Sequence, residues 1–360
     1  MRELKILHID TGRVWRGGQA QLLALARALR ERGHIQTIAA PAGTPLAMRA
    51  RSEGFPVVAP RMRDVRRCAA EGGVQIVHSH SARGQNLAWA ATVGMEVIRV
   101  ASRLVAFEPR HPRVHKWKYA FTCEGVIAAS EAVASVLRKC GVPDERIEVI
   151  EAGVDIPGEL PHRERARFGL ADEHFVLGHA GAFTREKGQD VLLKAFLLLL
   201  GKAPEARLLL AGAGPLAEAP DIQGLIQASG GRAVWLGEME DMGAFYAALD
   251  LYVMPSRSEG WGLAALEAMA YGIPVAASRV GGLERIVEEG LTGWHVPPDD
   301  PPALAEAILD ARSDRARLRR MGALARARAE RFSSARAAER TEAFYVRLMR
   351  RKHSMIDVKT

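Results

Sequence analysis

Short apolar runs alternate with longer stretches of helical periodicity along most of the chain, and this alternation constrains the fold more than any other feature. Leu4–Ile9 reads as a buried strand, and Gln19–Arg32 follows with Leu22, Leu23, Leu25, Ala26 and Leu29 on one helical face. Gly33 and His34 stop that helix, and Ile35–Ala39 reads as the next strand. Val74–His78, Val97–Ala101 and Gly125–Ala128 repeat the theme. Glu151–Asp172 breaks it with Pro157, Gly158, Pro161 and the charged His162–Arg167, and reads as a linker. A second series then runs through Phe175–Ala180, Gln189–Leu200 (helix), Ala206–Ala211, Ala233–Leu236, Leu249–Met254, Leu263–Tyr271 (helix) and Val275–Ala277. Continuous apolar strands joined through helices need cover on both faces, so the pattern predicts an α/β chain of two doubly wound, Rossmann-like parallel-sheet domains. The expected boundaries are 1–160, 161–334 and a C-terminal helix over 335–360.

Composition narrows the class. With 360 residues, 48% of them hydrophobic, there is material for two cores. The three cysteines, Cys68, Cys123 and Cys140, are widely spaced, which argues against a disulfide framework or zinc knuckle and suits a reducing cytoplasm. The opening Met1–Asp10 lacks the apolar stretch of a secretory signal, and the longest apolar run, Ala195–Leu200, is far too short to span a bilayer. The net charge of +8 and a pI near 9.7 allow nucleic acid, an anionic membrane face or phosphorylated substrates as partners. No nucleic-acid motif accompanies the charge. The arginines of the C-terminal stretch, Arg312 through Arg331, read as a solvated helix face.

The most informative segment runs from Pro255 to Val275. A strand ends at Met254, a loop carries Glu259, Gly260, Trp261 and Gly262, and a helix begins that ends at Gly272. Ligands of open parallel sheets sit at such strand ends. The amides of Gly262, Leu263 and Ala264 would face a phosphate, aided by the helix dipole. Glu259 and Glu267 are acceptor-only groups suited to sugar hydroxyls and a ribose diol.

Two glutamates with seven residues between them, in this Glu-Gly-x-Gly-Leu-x-x-Leu-Glu-Ala-Met-Ala-x-Gly-x-Pro-Val context, resemble the signature of the GT-B fold retaining glycosyltransferases of family 4, the glycosyl transferases group 1. Gly17-Gly18, Val77–His80, Ser130, Gly153–Asp155, Gly181–Gly188, Gly212–Pro215 and Gly281–Glu284 match further segments, so the resemblance extends over almost the whole chain. It implies a cleft between the domains, an acceptor-side first domain, a nucleotide-sugar-binding second domain, and a last helix packed back on the first domain through Ala338, Phe344 and Tyr345. It implies transfer from a nucleoside-diphosphate sugar to an acceptor hydroxyl with retention. His80, Lys187 and Glu259 are the expected catalytic residues. Gly17, Gly18, Arg185, Lys187, Gly212, Gly260, Trp261, Gly262, Leu263, Ala264 and Glu267 are the expected donor contacts. Ala182 stands where the family often has arginine, so Arg185 is the candidate replacement.

Other features weigh on this reading. Arg13, Trp15 and Arg16 in the loop after the first strand suggest acceptor contact. Gly212–Ala217 matches a dinucleotide fingerprint, but Pro220 is expected to interrupt the helix such a site needs. Gly281-Gly282 is either a ligand approach or a tight turn. Asp10, Asp155 and Asp250 are not clustered and no Asp-x-Asp occurs, so no metal and no cofactor are expected. A cytoplasmic enzyme of cell-envelope glycan or lipopolysaccharide biosynthesis, with peripheral contact to an anionic inner membrane face, follows as an expectation; the oligomeric state stays open. The alternatives are a nucleotide-sugar epimerase or phosphorylase on the same architecture, a non-catalytic carbohydrate-binding protein and a dinucleotide oxidoreductase.

Overall fold

A computed structural model describes residues 3–104, 118–119 and 121–357. Met1 and Arg2, part of the opening discussed above, lie outside them, as do the last three residues of the C-terminal stretch. The chain divides into one unit of Met1–Gly153 with Ser333–Thr360 and another of Val154–Phe332.

The first unit holds seven strands: β1 (Lys5–Ile9), β2 (Ile35–Ala39), β3 (Val57–Val58), β4 (Ile76–Ser79), β5 (Ile98–Arg103), β6 (Gly125–Ala128) and β7 (Ile147–Val149). They pair in parallel in the order β3-β2-β1-β4-β5-β6-β7. The chain reverses direction across the sheet between β1 and β4, where a topological switch point opens a crevice at the strand ends. Strand β1 is buried on both faces from Ile6 to Ile9, which is why Ile6 and Leu7 stand side by side without alternating with exposed polar residues. Helix Gly17–Glu31 starts two residues before the expected Gln19, so Gly17 and Gly18 open the helix instead of forming a loop ahead of it. Its entry is closed by Gln19, whose Oε1 accepts from the Arg16 amide at 3.2 Å. The Ser334–Asp357 helix belongs to this unit and buries Ala338, Phe344, Tyr345 and Leu348 beside Leu4, Ile6 and Ile127.

The second unit holds β8 (Phe175–Ala180), β9 (Ala206–Ala211), β10 (Ala233–Trp235), β11 (Leu251–Met254), β12 (Val275–Ser278) and β13 (Gly293–Val296), all parallel in the order β10-β9-β8-β11-β12-β13. Its core packs Phe175, Phe183, Phe196 and Leu208 with Ile308 and Met321 from the helices that follow the sheet. Pro220 does not interrupt a helix; it opens Pro220–Ala228 at the first turn, where its missing N–H costs nothing. The arginines after Pro301 are in several cases anchors and not a solvated face. Arg326 Nη1 donates to Ala270 O at 2.7 Å, capping the carboxyl end of the glutamate-bearing helix, and Arg328 Nε donates to Ile286 O at 2.7 Å. Asp250 is buried and ion-paired to Arg165 at 2.7 Å, and none of the three cysteines forms a disulfide among the described residues. Among the described residues no helix is long and apolar enough to cross a membrane.

Candidate active site

In the second unit the β8 loop packs against the loops beyond β9 and β11, and the β11 loop against that beyond β12. β11 ends at Met254, and the Leu263–Ala270 helix begins after Gly262 with no side chain capping it. The first amides of that helix therefore have no intrahelical acceptor and remain for a ligand. Lys187 closes the short helical turn Arg185–Lys187 after β8, and its Nζ lies 2.5 Å from Glu259 Oε2. The two expected catalytic residues of this unit are thus brought together as an ion pair, largely shielded from solvent on the carboxylate side, where the Glu259 side chain is 11% exposed.

Glycines set this geometry by close backbone approach. A Cβ on Gly281 would lie 1.9 Å from Glu259 O, and one on Gly282 would lie 2.4 Å from Trp261 O. The pair is thus a seat for the Glu259–Trp261 loop, a role neither sequence alternative named. Gly212 likewise abuts the Gly181 carbonyl, where a Cβ would come within 2.1 Å of the oxygen. The Gly212–Gly214 stretch packs its own unit's β8 loop, not the start of a helix as a dinucleotide fingerprint would.

Glu267 lies on the Leu263–Ala270 helix, half-buried, and its Oε2 accepts from Tyr246 Oη at 2.8 Å. Burial raises its pKa, the Tyr246 hydrogen bond lowers it, and Asp155 raises it further. Trp261 is buried, its ring edge-on to Phe332 with centroids 5.5 Å apart. Its contribution to a ligand would therefore come from the backbone. Leu263 and Ala264 are half-buried in the first turn. Arg185 is exposed and its carbonyl accepts from Arg257 Nη1 at 2.7 Å.

Arg257, not anticipated from the sequence, ties the two loops together. It contacts Asp190 through both terminal nitrogens at 2.8 Å and Asp299 through Nε at 2.6 Å. Tyr246 and His179 were missed as well. His179 Nδ1 lies 2.9 Å from Val253 O and Nε2 lies 3.2 Å from the Gln189 amide. Burial pulls its pKa down to about 4, so the ring is neutral at pH 7. The Ser256 hydroxyl is buried without a hydrogen-bond partner among the described residues. No motif marks these residues; their roles depend on tertiary neighbours.

In the first unit, His80 follows β4 and lines a cavity of about 40 Å³ with Ser102, Ser334 and Thr341. Its Nε2 lies 3.0 Å from His8 Nδ1, and His8 Nε2 lies 2.7 Å from Gln36 Oε1. With Gln36 accepting, His8 carries its proton on Nε2, His80 donates from Nε2, and His80 Nδ1 is left as an acceptor. His78 Nδ1 is 2.6 Å from Tyr345 Oη and its Nε2 is 2.8 Å from Ser102 Oγ. One ring nitrogen of each of His8, His78 and His80 falls within 4.8 Å of the others. Burial, then the neighbouring rings, holds the pKa of His80 well below that of a free imidazole. The cluster is a neutral hydrogen-bonding array at pH 7.

Residues 174–314 match the family model described as Glycosyl transferases group 1, and residues 15–156 match Glycosyltransferase Family 4. D-inositol 3-phosphate glycosyltransferase of Streptomyces scabiei is 29% identical over 309 residues, which are 77% of this chain and 69% of that protein. The enzyme of the same name from Corynebacterium urealyticum is 34% identical over 223 residues, 58% of this chain and 53% of that protein. Several such relatives are thus spanned over little more than half their length. Among solved structures, Anabaena HepE in complex with UDP and glucose superposes with a TM-score of 0.81 at 24% identity, covering 95% of this chain and 99% of that one. Sucrose-phosphate synthase of Thermosynechococcus elongatus gives 0.79 at 23% identity, covering 96% and 99%. The fold is accordingly of the GT-B type, a pair of parallel-sheet α/β units. The chain belongs to glycosyltransferase family 4, the glycosyl transferases group 1.

Proposed function

We propose that the chain transfers a sugar from a nucleoside-diphosphate sugar to an acceptor hydroxyl with retention of anomeric configuration. The observation that carries this is the Lys187–Glu259 pair, 2.5 Å apart, beside the uncapped amino end of the Leu263–Ala270 helix. In the reaction the bond from C1 to the diphosphate breaks, the acceptor oxygen bonds to C1, and the acceptor proton leaves. Negative charge grows on the departing diphosphate, and Lys187, Arg185 and the helix amides are the groups available to stabilise it. Glu259 orients the sugar and Glu267 accepts from the ribose diol. From the first unit, His80 is the residue the resemblance brings to the sugar, its ring neutral and its Nδ1 an acceptor. These cations let the reaction run without a divalent metal, so activity is expected to survive chelation by EDTA. Anabaena HepE, crystallised with UDP-glucose, supports a uridine donor as the first choice. A cytoplasmic setting in cell-envelope glycan assembly, with basic surface against anionic lipid, is the outer part of the same reading.

A thermal-shift screen of uridine, guanosine and adenosine diphosphate sugars identifies the donor, since a ligand bound only by the native state raises Tm. Lys187→Ala is then expected to lower turnover by about 2–4 kcal/mol of barrier, the scale for losing one charge-stabilising donor. An anomeric proton spectrum of the product reads retention. Unchanged turnover in the variant, or an inverted product, overturns the proposal.

A further inference from the structure

Three histidines of the first unit converge where the chain reverses across its sheet. His8 on β1 and His78 on β4 are register partners on neighbouring parallel strands. His80 stands two positions beyond His78, and its amide continues the ladder by donating to Ile9 O at 2.9 Å. The pleat therefore returns its side chain to the same face of the sheet. The ring centroids lie 4.1 to 5.7 Å apart, and one nitrogen of each ring falls within 4.8 Å of the other two. A tetrahedral ion bound by imidazoles at about 2.0–2.1 Å sets its nitrogens about 3.3 Å from one another. His8 Nδ1 and His80 Nε2 already stand 3.0 Å apart. Three imidazoles are a costly way to fill a core face, since each brings polar atoms that burial penalises.

A histidine that binds a metal through one nitrogen is held by a hydrogen bond at the other. Two of the rings have that bond in place. His8 Nε2 donates to Gln36 Oε1 at 2.7 Å. His78 has Tyr345 Oη 2.6 Å from Nδ1 and Ser102 Oγ 2.8 Å from Nε2, so whichever nitrogen meets an ion, the other stays anchored. His80 needs only to move its proton from Nε2 to Nδ1, a change of tautomer with no net loss of protons. The cavity of about 40 Å³ beside His80 and Ser102 has room for a water as a further ligand. The Ser334 hydroxyl lines that cavity, buried and without a hydrogen-bond partner among the described residues, and is available to such a water. Glu151 also lines it and lies 3.5 Å from Arg340. A donor set of imidazoles favours zinc and its neighbours over magnesium or calcium, which take oxygen ligands.

We infer that His8, His78 and His80 form a binding site for a divalent transition ion of the zinc type, completed by water from the cavity. The ion is no cofactor of transfer. It occupies His80 and denies that ring to the sugar, and so acts as a brake. Only the brake rests on the glycosyl-transfer reading; the site stands on the three rings.

The full chain, first treated with EDTA and desalted, is titrated calorimetrically with Zn²⁺ and with Mg²⁺, and its Co²⁺ form is read by visible absorption. One equivalent of Zn²⁺ is expected to bind and Mg²⁺ is not, and Co²⁺ is expected to show the intense d–d bands of a tetrahedral ion. His80→Gln, at a half-buried strand end, should weaken Zn²⁺ by about tenfold or more and remove those bands. Gln36→Glu should tighten Zn²⁺, because a carboxylate acceptor makes His8 a stronger ligand, whereas a merely packed His8 gives no gain. Tm in EDTA checks the fold of each variant. Should both melt early, the Co²⁺ spectrum of the unaltered protein decides: tetrahedral bands support the site, and octahedral bands alone overturn it. Equal Zn²⁺ affinity in the unaltered protein and in His80→Gln overturns it as well. Zn²⁺ should slow release of UDP from UDP-glucose, and EDTA should restore it; an unchanged rate with the site filled overturns the brake. Absence of nucleotide-sugar binding in the unaltered protein would instead defeat the glycosyl-transfer reading and leave the ion site to its own titration.

Discussion

The two units carry the same sheet plan, with β1 and β8 in corresponding places beside the switch point, yet they treat charge at the strand ends in opposite ways. In the second unit two cations at the strand ends are met by carboxylates, Lys187 by Glu259 and Arg257 by Asp190 and Asp299. In the first, Arg13, Arg61 and Arg83 surround a groove without one. A shared topology therefore places polar loops at the same end of each sheet but leaves the ligand class to local compensation. A paired cation must be released when its anion arrives, which couples binding to rearrangement of the pair. An unpaired one is committed in advance.

The sharpest way to break the contrast is through the seat of the second site. Gly281→Ala places a Cβ against Glu259 O and at a φ of +53°. It is expected to cost about 2–4 kcal/mol of stability and to abolish UDP binding. Gly33→Ala in the first unit, at a φ of +88° with nothing within 4 Å, is expected to cost only about 1 kcal/mol and to leave UDP affinity intact. Denaturant melts and UDP titrations compare them; equal losses would mean that the loop does not depend on its glycine seat.

Acid titration probes the buried rings of both sheets. Burial lowers the pKa of His8 and of His179 to about 4. Each ring takes its proton less readily folded than unfolded, so stability is full above the unfolded value near 6.5 and falls as pH drops toward 4. The expected slope is about 1.4 kcal/mol per pH unit for each histidine. His8 touches two further imidazoles, so His8→Gln should flatten the profile between pH 6.5 and 4 more than His179→Gln does. Equal flattening would show that the cluster titrates as independent rings.

Removing the counter-charge from the second site makes it resemble the first. Glu259→Gln leaves Lys187 unpaired in the empty protein, so UDP should bind about tenfold more tightly, worth about 1.4 kcal/mol. Transfer should slow, since the sugar loses its ionised acceptor. A variant that binds UDP more weakly would mean that Glu259 does not compete with the diphosphate.

How much of this was legible in the residues follows the same division. Apolar runs such as Phe175–Ala180 and Ala206–Ala211 coincide with their strands because burial on both faces leaves no room for polar interruption. Val57–Val58 and Ile147–Val149 escaped because two or three residues carry no periodicity. Glu259, Gly260 and Glu267 stand in one contiguous segment, so the order of residues displays the candidate second site directly. Arg257, Tyr246, Arg61 and Arg83 were silent. Their meaning lies in what they touch, or in what fails to touch them, and neither is written in local spacing. Arg13 alone was singled out, with Trp15 and Arg16 in the loop after the first strand.

Tyr246 offers the finest test of the paired site. Its hydroxyl donates to Glu267 Oε2 at 2.8 Å and is fully buried. The bond favours the ionised carboxylate, which burial opposes. Tyr246→Phe should therefore leave Glu267 less charged and less fixed, weakening UDP by about fivefold, close to 1 kcal/mol. The loss should vanish when UDP is replaced by its 2′,3′-dideoxy analogue, which has no diol for Glu267 to hold. Calorimetry with both ligands on both proteins completes the cycle. An equal loss for the two nucleotides would make Tyr246 a packing residue and detach Glu267 from the ribose.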